Sequence, residues 1–148
     1  MNSLNQETNK NKTKKIKLDF KDSKYATGRR KRSIAKVWVK KGSGNIHVNG
    51  LNMKDYFKRP VHQIIVTRPL EISEVSSNYD VKCSVKGGGL SGQAGAIILG
   101  ISKALIAHDE NLKKNLKRDK LTTRDSRVVE RKKYGHRKAR RSFQFSKR

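Results

Sequence analysis

Acidic residues are scarce in this chain of 148 residues, which has 12 Asp and Glu against 37 Lys and Arg and a formal net charge of +25. A protein of this size with so much charge of one sign repels itself. We therefore expect a polyanionic partner to neutralise it for most of its life. RNA, DNA and an anionic membrane surface are the candidate polyanions.

Cysteines and long apolar runs are also rare. The single cysteine, Cys83, excludes an internal disulfide framework and suits a reducing compartment. We find no apolar run of about 18 residues and no apolar face for an interfacial helix in the basic stretches, so we expect no membrane partner. The polar N-terminal stretch lacks the apolar segment of a signal peptide and the Arg-rich amphipathic stripe of a mitochondrial presequence.

Residues suited to catalysis or metal binding are few and scattered. Cys83 falls inside a predicted strand and is better explained as a small core residue. Asp109 and Glu110 are adjacent on the chain rather than convergent. No metal-ligand spacing relates the histidines to one another or to Cys83: His47, His62, His108 and His136. We predict no enzyme activity, no cofactor and no metal.

Positive charge is concentrated at the two ends of the chain. Residues 113–148 hold 16 Lys or Arg against 3 acids, and residues 1–36 hold 12 against 3. The centre, residues 37–112, is nearly ordinary with 9 against 6. We predict three parts: a disordered basic arm, a globular domain and an extended basic tail. Their bounds are 1–23, 24–118 and 119–148.

Alternating apolar residues predict strands at Ser33–Val39 and Tyr79–Val85. The polar, glycine-containing stretch Lys40–Asn45 is typical of a hairpin connection, and Ile46–Val48 would return as a second strand. Asn49–Gly50 predicts a further turn.

Helical spacing is clearest from Ser91 to Ala107, with an apolar face at Ala94, Ile97, Ile98, Ile101 and Leu105. Shorter helices are predicted at Met53–Phe57, at Asn111–Lys117 and, capped by Asp125 and Gly135, at Ser126–Tyr134. Arg59–Pro60 ends the first of these or redirects the chain, and Ile64–Thr67 and Pro69–Val75 remain ambiguous. The fold class is α+β, a single small domain with a mixed sheet and packed helices.

The glycine triplet Gly87, Gly88 and Gly89, followed by Gly92, formally matches the dinucleotide-binding fingerprint. That fingerprint requires a second strand ending in an acid, and the long helix leaves no room for one before Asp109. A tight strand-to-helix turn explains the glycines. The turn could also hold a phosphate on its bare backbone N–H groups, and both interpretations stay open.

Two basic clusters point to RNA. The first is four consecutive cations, Arg29, Arg30, Lys31 and Arg32, for which a solvated edge or a localisation patch is the alternative. The second mixes cations with aromatic rings that can stack on bases, which a merely solubilising tail would not need. Its cations are Arg131, Lys132, Lys133, Arg137, Lys138, Arg140 and Arg141, and its aromatic residues are Tyr134, Phe143 and Phe145.

Three blocks of sequence resemble the ninth protein of the small ribosomal subunit, of the bacterial and organellar type. They are TGRRKRSIAKVWVKKGSGNIHVNG at 27–50, GGGLSGQAGAIILGISKAL at 87–105 and TRDSRVVERKKYGHRKARRSFQFSKR at 123–148. The second block is similar to that family's glycine triplet followed by Gln93, and the third ends in its Ser-Lys-Arg terminus. With their spacing, the blocks cover the chain from Tyr25 onward.

This resemblance implies a fold of the type named after the second domain of the fifth small-subunit protein. It implies a place in the head of the subunit beside other head proteins, in the bacterial cytoplasm or the mitochondrial matrix, with no homo-oligomer. It adds Arg124 and Arg127 to the expected rRNA-binding residues, which also include the first cluster, the glycine triplet, and the cations and Tyr134 of the second cluster. It implies that the end of the tail, at Ser146, Lys147 and Arg148, contacts P-site tRNA.

Two alternatives from other classes are a phosphate-binding enzyme that uses the glycine-rich loop and a free DNA-binding protein. The first requires a nucleotide-sized pocket with an acid or base beside the loop. The second would not sediment with small ribosomal subunits.

Overall fold

The computed structural model describes residues 20–147, whose core is a five-stranded mixed sheet with helices packed on one face. The strand order is β1-β2-β5-β3-β4; β3 and β5 are parallel, and the other neighbours are antiparallel. The strands are β1 (Lys24–Arg30), β2 (Ser33–Lys41), β3 (Ile46–Val48), β4 (Leu51–Asn52) and β5 (Tyr79–Lys86). The predicted α+β class is confirmed.

Four helices complete the domain, with a 3-10 turn at Glu110–Leu112 between the last two. They are α1 (Met53–Tyr56), α2 (Pro60–Ile72), α3 (Leu90–His108) and α4 (Lys113–Arg118). The predicted arm at 1–23 falls almost wholly outside the described residues.

The alternating patterns of β2 and β5 bury one side chain in two, as the sequence predicted. Ala35, Val37 and Val39 from β2 face the helices beside Val81, Cys83 and Val85 from β5. Helix α3 packs on β1 and β2, with α2 beside it. Gly28 permits the close approach, because a Cβ there would overlap the backbone of Ala96 and Gly100.

Helix α3 is the predicted main helix, and it corrects the expectation that the chain has no apolar run of about 18 residues. Among residues 20–147, it is the one helix long and apolar enough to cross a membrane by length and composition alone. Ten of its residues are buried against the rest of the domain, which is typical of the core helix of a folded domain.

The predicted hairpin between β2 and β3 is wrong, because β5 lies between these two strands. The intervening loop turns away from β2, since the Asp80 carboxylate accepts hydrogen bonds from the backbone N–H groups of Ser43 and Asn45. The predicted Asn49–Gly50 turn is confirmed and joins β3 to β4. Both its residues have the positive φ of a type I′ hairpin, 52° and 83°.

Three further elements differ from the sequence prediction. Strand β1 was missed because Lys24–Arg30 has no apolar alternation; pairing with β2 and packing under α3 impose its conformation. The ambiguous segments around Ile64 and Pro69 belong to one helix, α2, which includes Pro69. The helix predicted at 126–134 is wrong: residues 124–133 have no helical structure, and Val128 and Val129 stay largely exposed instead of forming a buried apolar face.

Candidate nucleic-acid interface

The first basic cluster lies at the hairpin between β1 and β2. Arg30 pairs with Ser33, so Lys31 and Arg32 form a two-residue turn in which Lys31 has a φ of 50°. Because side chains alternate along a strand, Arg29 and Arg30 point to opposite faces of the sheet. Arg29 lies opposite Ile34 on the face away from α3, whereas the Arg30 side chain lies against Gly95 of α3.

The glycine triplet lies directly beside this turn. Gly87 and Gly88 have φ values of 75° and 62°, which favour glycine. The Gly87 carbonyl accepts a hydrogen bond from the Ser33 hydroxyl at 2.9 Å and from the Gln93 amide at 3.3 Å. The loop is thereby fixed between the start of β2 and the first turn of α3.

Helix α3 begins directly after the same loop. Its N-cap is Gly89, and no side chain caps it. The first N–H groups of a helix carry a partial positive charge and are good ligands for phosphate. A Cβ at Gly89 would meet nothing within 4 Å, so this side of the loop is open.

A groove of about 600 Å³ joins the turn, the loop and the tail. From the domain it is lined by Lys31, Arg32, Gly88 and Gly89, and from the tail by Val128, Val129, Glu130, Arg131 and Lys132. Four cations and one acid therefore line a cleft that ends at an uncapped helix N-terminus. This arrangement suits a phosphodiester backbone better than a neutral ligand.

The base of the tail is held to the domain by Arg30. Its guanidinium lies 2.8 Å from the Asp125 carboxylate and donates a hydrogen bond to the Arg127 carbonyl at 3.1 Å. Asp125 also accepts from the Arg127 guanidinium at 2.7 Å and from the Arg127 backbone N–H at 2.9 Å. Hydrogen bonds from Arg127, assisted by the charge of Arg30, hold the pKa of the Asp125 carboxyl well below its usual range. We call this group of three residues the tail latch.

Residues 124–147, which include the tail side of the latch, contain neither helix nor strand, but the chain folds back locally beyond Arg127. Glu130 pairs with Lys133 and with Arg140, each at 2.9 Å, and these hydrogen bonds lower its pKa. The Arg137 guanidinium lies 5.6 Å from the centre of the Phe143 ring. One internal acid therefore neutralises part of the tail's charge.

The structure brings together some of the predicted RNA-binding residues and separates others. Lys31, Arg32, the glycine loop, Arg127, Arg131 and Lys132 surround or adjoin the groove, whereas Arg29 lies on the other face of the sheet. Exposed residues along the rest of the tail are Arg124, Lys133, Tyr134, Arg137, Lys138, Arg140, Arg141, Ser146 and Lys147. Arg148 lies outside the described residues.

Sequence reasoning missed the residues that position this interface. Ser33 carries no sequence signal for its bond to Gly87, and only the resemblance to the ribosomal family singles out Gln93. Asp125 was assigned to a helix cap. Its bond to the N–H two residues later is typical of an Asx turn, which shares the local geometry of a cap without a helix.

Metal or thiol chemistry finds no support in the part of the chain that the structure describes. No group of three His, Cys, Asp or Glu side chains there could hold a metal ion. Cys83 is buried, and burial raises the pKa of its thiol, which keeps it protonated.

Comparison with protein families gives a match over most of the chain. The family described as ribosomal protein S9/S16 matches residues 28–148. The match begins at the glycine of β1 that contacts α3 and includes the basic turn, the glycine loop, the latch and the tail.

Proposed function

The chain belongs to the ribosomal protein S9/S16 family, and we propose that it binds in the head of the small subunit and contacts P-site tRNA with its tail. The family is structural: its members are constituents of the small ribosomal subunit that bind rRNA and serve translation. The resemblance to the ninth small-subunit protein supports the finer placement on the 3′ major domain of the rRNA.

The groove is the observation that carries the rRNA-binding part of this proposal. Lys31 and Arg32 form a two-residue turn, and Arg131 and Lys132 of the tail line the same cleft. Gly88 and Gly89 also line the cleft and have no side chains that would keep a phosphate away. Cations that hold backbone phosphates fix position and orientation without reading sequence, which is the task of a structural protein in a folded RNA.

The tRNA part of the proposal is supported by the form of the tail. The latch fixes its base to β1, and residues 142–147 extend without secondary structure. Six extended residues span up to about 20 Å, a length that would let the terminal cations reach a ligand away from the domain. By resemblance, Ser146, Lys147 and Arg148 meet the phosphates of the anticodon stem-loop.

Site-directed crosslinking tests the placement. Cys83 is buried, so Ser146→Cys supplies an accessible thiol to which a photoactivated aryl azide can be attached. We expect the labelled chain to sediment with small subunits in a sucrose gradient and to crosslink to tRNA bound in the P site. Ser77→Cys is the control, because this exposed residue precedes β5 at the end of that strand opposite the glycine loop.

The two parts of the proposal fail separately. A chain that stays at the top of the gradient would overturn ribosomal binding and favour a free nucleic-acid-binding protein. A chain that sediments with subunits but crosslinks to tRNA no more than the Ser77→Cys control would overturn only the tRNA contact.

A further inference from the structure

The face of the sheet away from α3, which we call the open face, carries cations and aromatic rings in cross-strand rows. One row joins Tyr25, Trp38, Lys82 and His47 across four strands. The next joins Thr27, Lys36 and Ser84, and the third joins Arg29, Ile34 and Lys86. Of the residues in these rows, the sequence predicts a role for Arg29 alone.

Aromatic side chains form its centre. The rings of Tyr25 and Trp38 lie 5.3 Å apart with an angle of 43° between their planes. The Lys82 ammonium lies 5.9 Å from the centre of the Trp38 ring and 5.7 Å from that of Phe20. Tyr25 is 49% exposed although it belongs to a strand. These rings form a platform beside a cation.

The charge of the open face is almost entirely positive. Arg29, Lys36 and Lys86 are exposed there. Asp80, an acid on this face, lies near the start of β5, and its carboxylate accepts hydrogen bonds from the backbone N–H groups of Ser43 and Asn45. Like charges on neighbouring strands destabilise a sheet unless a partner of opposite charge is present.

Within residues 20–147, the helices α2 and α3 pack on the other side, and the open face keeps Ile34 46% exposed. An exposed face that is both apolar and cationic marks an interaction surface. A protein partner would match the apolar part, but only a polyanion with planar groups matches the rings and the cations together. That chemistry belongs to nucleic acid with unpaired bases.

We propose that the open face binds an unpaired segment of RNA, whose bases stack on Tyr25 and Trp38 while its phosphates meet Lys36, Lys86 and Arg29. The inference rests on the proposed rRNA binding and deepens it. The groove holds phosphates alone, whereas the open face holds bases as well as phosphates. Because paired bases cannot reach a flat protein face, the ligand is single-stranded.

Trp38 reports on this binding directly, since it is the only tryptophan of the chain. The full chain is titrated with a single-stranded oligouridylate, and two signals are followed: Trp38 emission and the anisotropy of a labelled copy of the RNA. We expect both signals to change over the same concentration range. Duplex RNA and heparin are matched polyanions without available bases, and we expect them to bind while leaving Trp38 emission nearly unchanged.

Substitutions distinguish the contribution of base stacking to RNA affinity from the contribution of positive charge. Trp38→Phe keeps an aromatic ring and should retain affinity within about twofold, whereas Trp38→Leu should lose roughly 5- to 100-fold. If Trp38→Leu disturbs the sheet, the double variant Lys36→Gln with Lys86→Gln tests the same surface through exposed residues. Its matched control is Lys103→Gln with Lys114→Gln, which removes equal charge from exposed positions on α3 and α4.

The outcomes distinguish this inference from the proposed function. Binding by anisotropy without a change in Trp38 emission, or equal weakening by both double variants, would overturn the open-face site and leave binding by the groove and tail intact. Failure of every RNA to bind at physiological salt would overturn both.

Discussion

The guanidinium of Arg30 lies 2.8 Å from the Asp125 carboxylate, so the last residue of β1 holds the base of a tail that begins almost a hundred residues later. Arg30 is part of the basic cluster that sequence reasoning assigned to RNA. Its guanidinium instead binds a carboxylate and a carbonyl of the same chain. The cluster therefore divides into one residue that positions the tail and others that remain open to a ligand.

Two tail acids should affect RNA binding in opposite directions. Asp125→Asn breaks the latch and should weaken RNA binding about two- to fivefold, because the groove loses its fixed tail side. Glu130→Gln frees Lys133 and Arg140 and should strengthen binding by a similar factor. Each variant removes one negative charge, so net charge alone predicts the same direction for both. Fluorescence anisotropy with a short RNA measures the difference, and equal strengthening by the two variants would show that the latch has no role.

The latch should also persist into acid. The hydrogen bonds from Arg127 and the charge of Arg30 lower the pKa of Asp125 in the folded protein. A carboxyl with a lowered pKa contributes stability above its ordinary pKa and loses it only as the pH falls through the lowered value. We therefore expect the Asp125 carboxyl carbon to keep its ionised chemical shift in NMR spectra at pH 3.8, the ordinary midpoint for aspartate.

Arg127→Gln is the matched control for that titration. It removes the largest cause of the shift, so the midpoint of Asp125 should move upward toward 3.8 while Arg30 still lies beside it. An unchanged midpoint would mean that Arg30, and not Arg127, keeps the carboxyl ionised.

Adjacent glycines of the loop should respond differently to alanine. Gly88→Ala forces a side chain into φ 62° and against the Ser33 hydroxyl, so we expect a loss of about 2 kcal/mol or more in the free energy of unfolding. Gly89→Ala has an ordinary φ and open space, and should change stability by less than about 1 kcal/mol. Urea denaturation compares the two. A harmless Gly88→Ala would mean that the loop can relax away from Ser33.

Cys83 should react only when the domain opens. Its thiol is buried in β5 among core residues, and burial raises its pKa, so little thiolate forms at neutral pH. We expect a maleimide to modify the native protein slowly and the urea-unfolded protein fast. Rapid labelling of the native protein, at a rate independent of stability, would contradict the packing of β5.

Strong periodicity decided which elements could be predicted from the sequence. Ser33–Val39, Tyr79–Val85 and Ser91–Ala107 each bury a regular set of apolar residues, so pattern and structure agree. Strand β1 has no such pattern, because Gly28 meets α3 with no side chain and its conformation depends on partners distant in sequence. The position of β3 beside β5 likewise depends on tertiary pairing that alternation does not encode.

The sequence predicted which residue types form the candidate site, but it did not predict how they are arranged in space. Charge identified the basic turn and the tail, and the glycine motif identified the loop, but neither showed that Arg29 and Arg30 face opposite sides of the sheet. The failed helix at 126–134 has a simple cause. Two adjacent valines and a run of cations give no apolar stripe, so the cap signal of Asp125 serves the latch instead.

Deletion of residues 146–148 should separate the terminal contact from binding of the domain. The deletion removes two cations, Lys147 and Arg148, and leaves the groove and latch in place. We expect normal incorporation into small subunits, because the domain contacts are intact, and weaker binding of tRNA to the P site.

Salt dependence makes this last expectation quantitative. If both cations meet phosphates, the slope of log K for tRNA against log salt should become shallower by about 1.4 on the single-strand coefficient. Ser146→Ala is the control and should leave the slope unchanged, because serine releases no counterion. A deletion that lowers affinity without changing the slope would assign the end of the tail a steric role. A deletion that changes neither would remove the tRNA contact from the function of this protein.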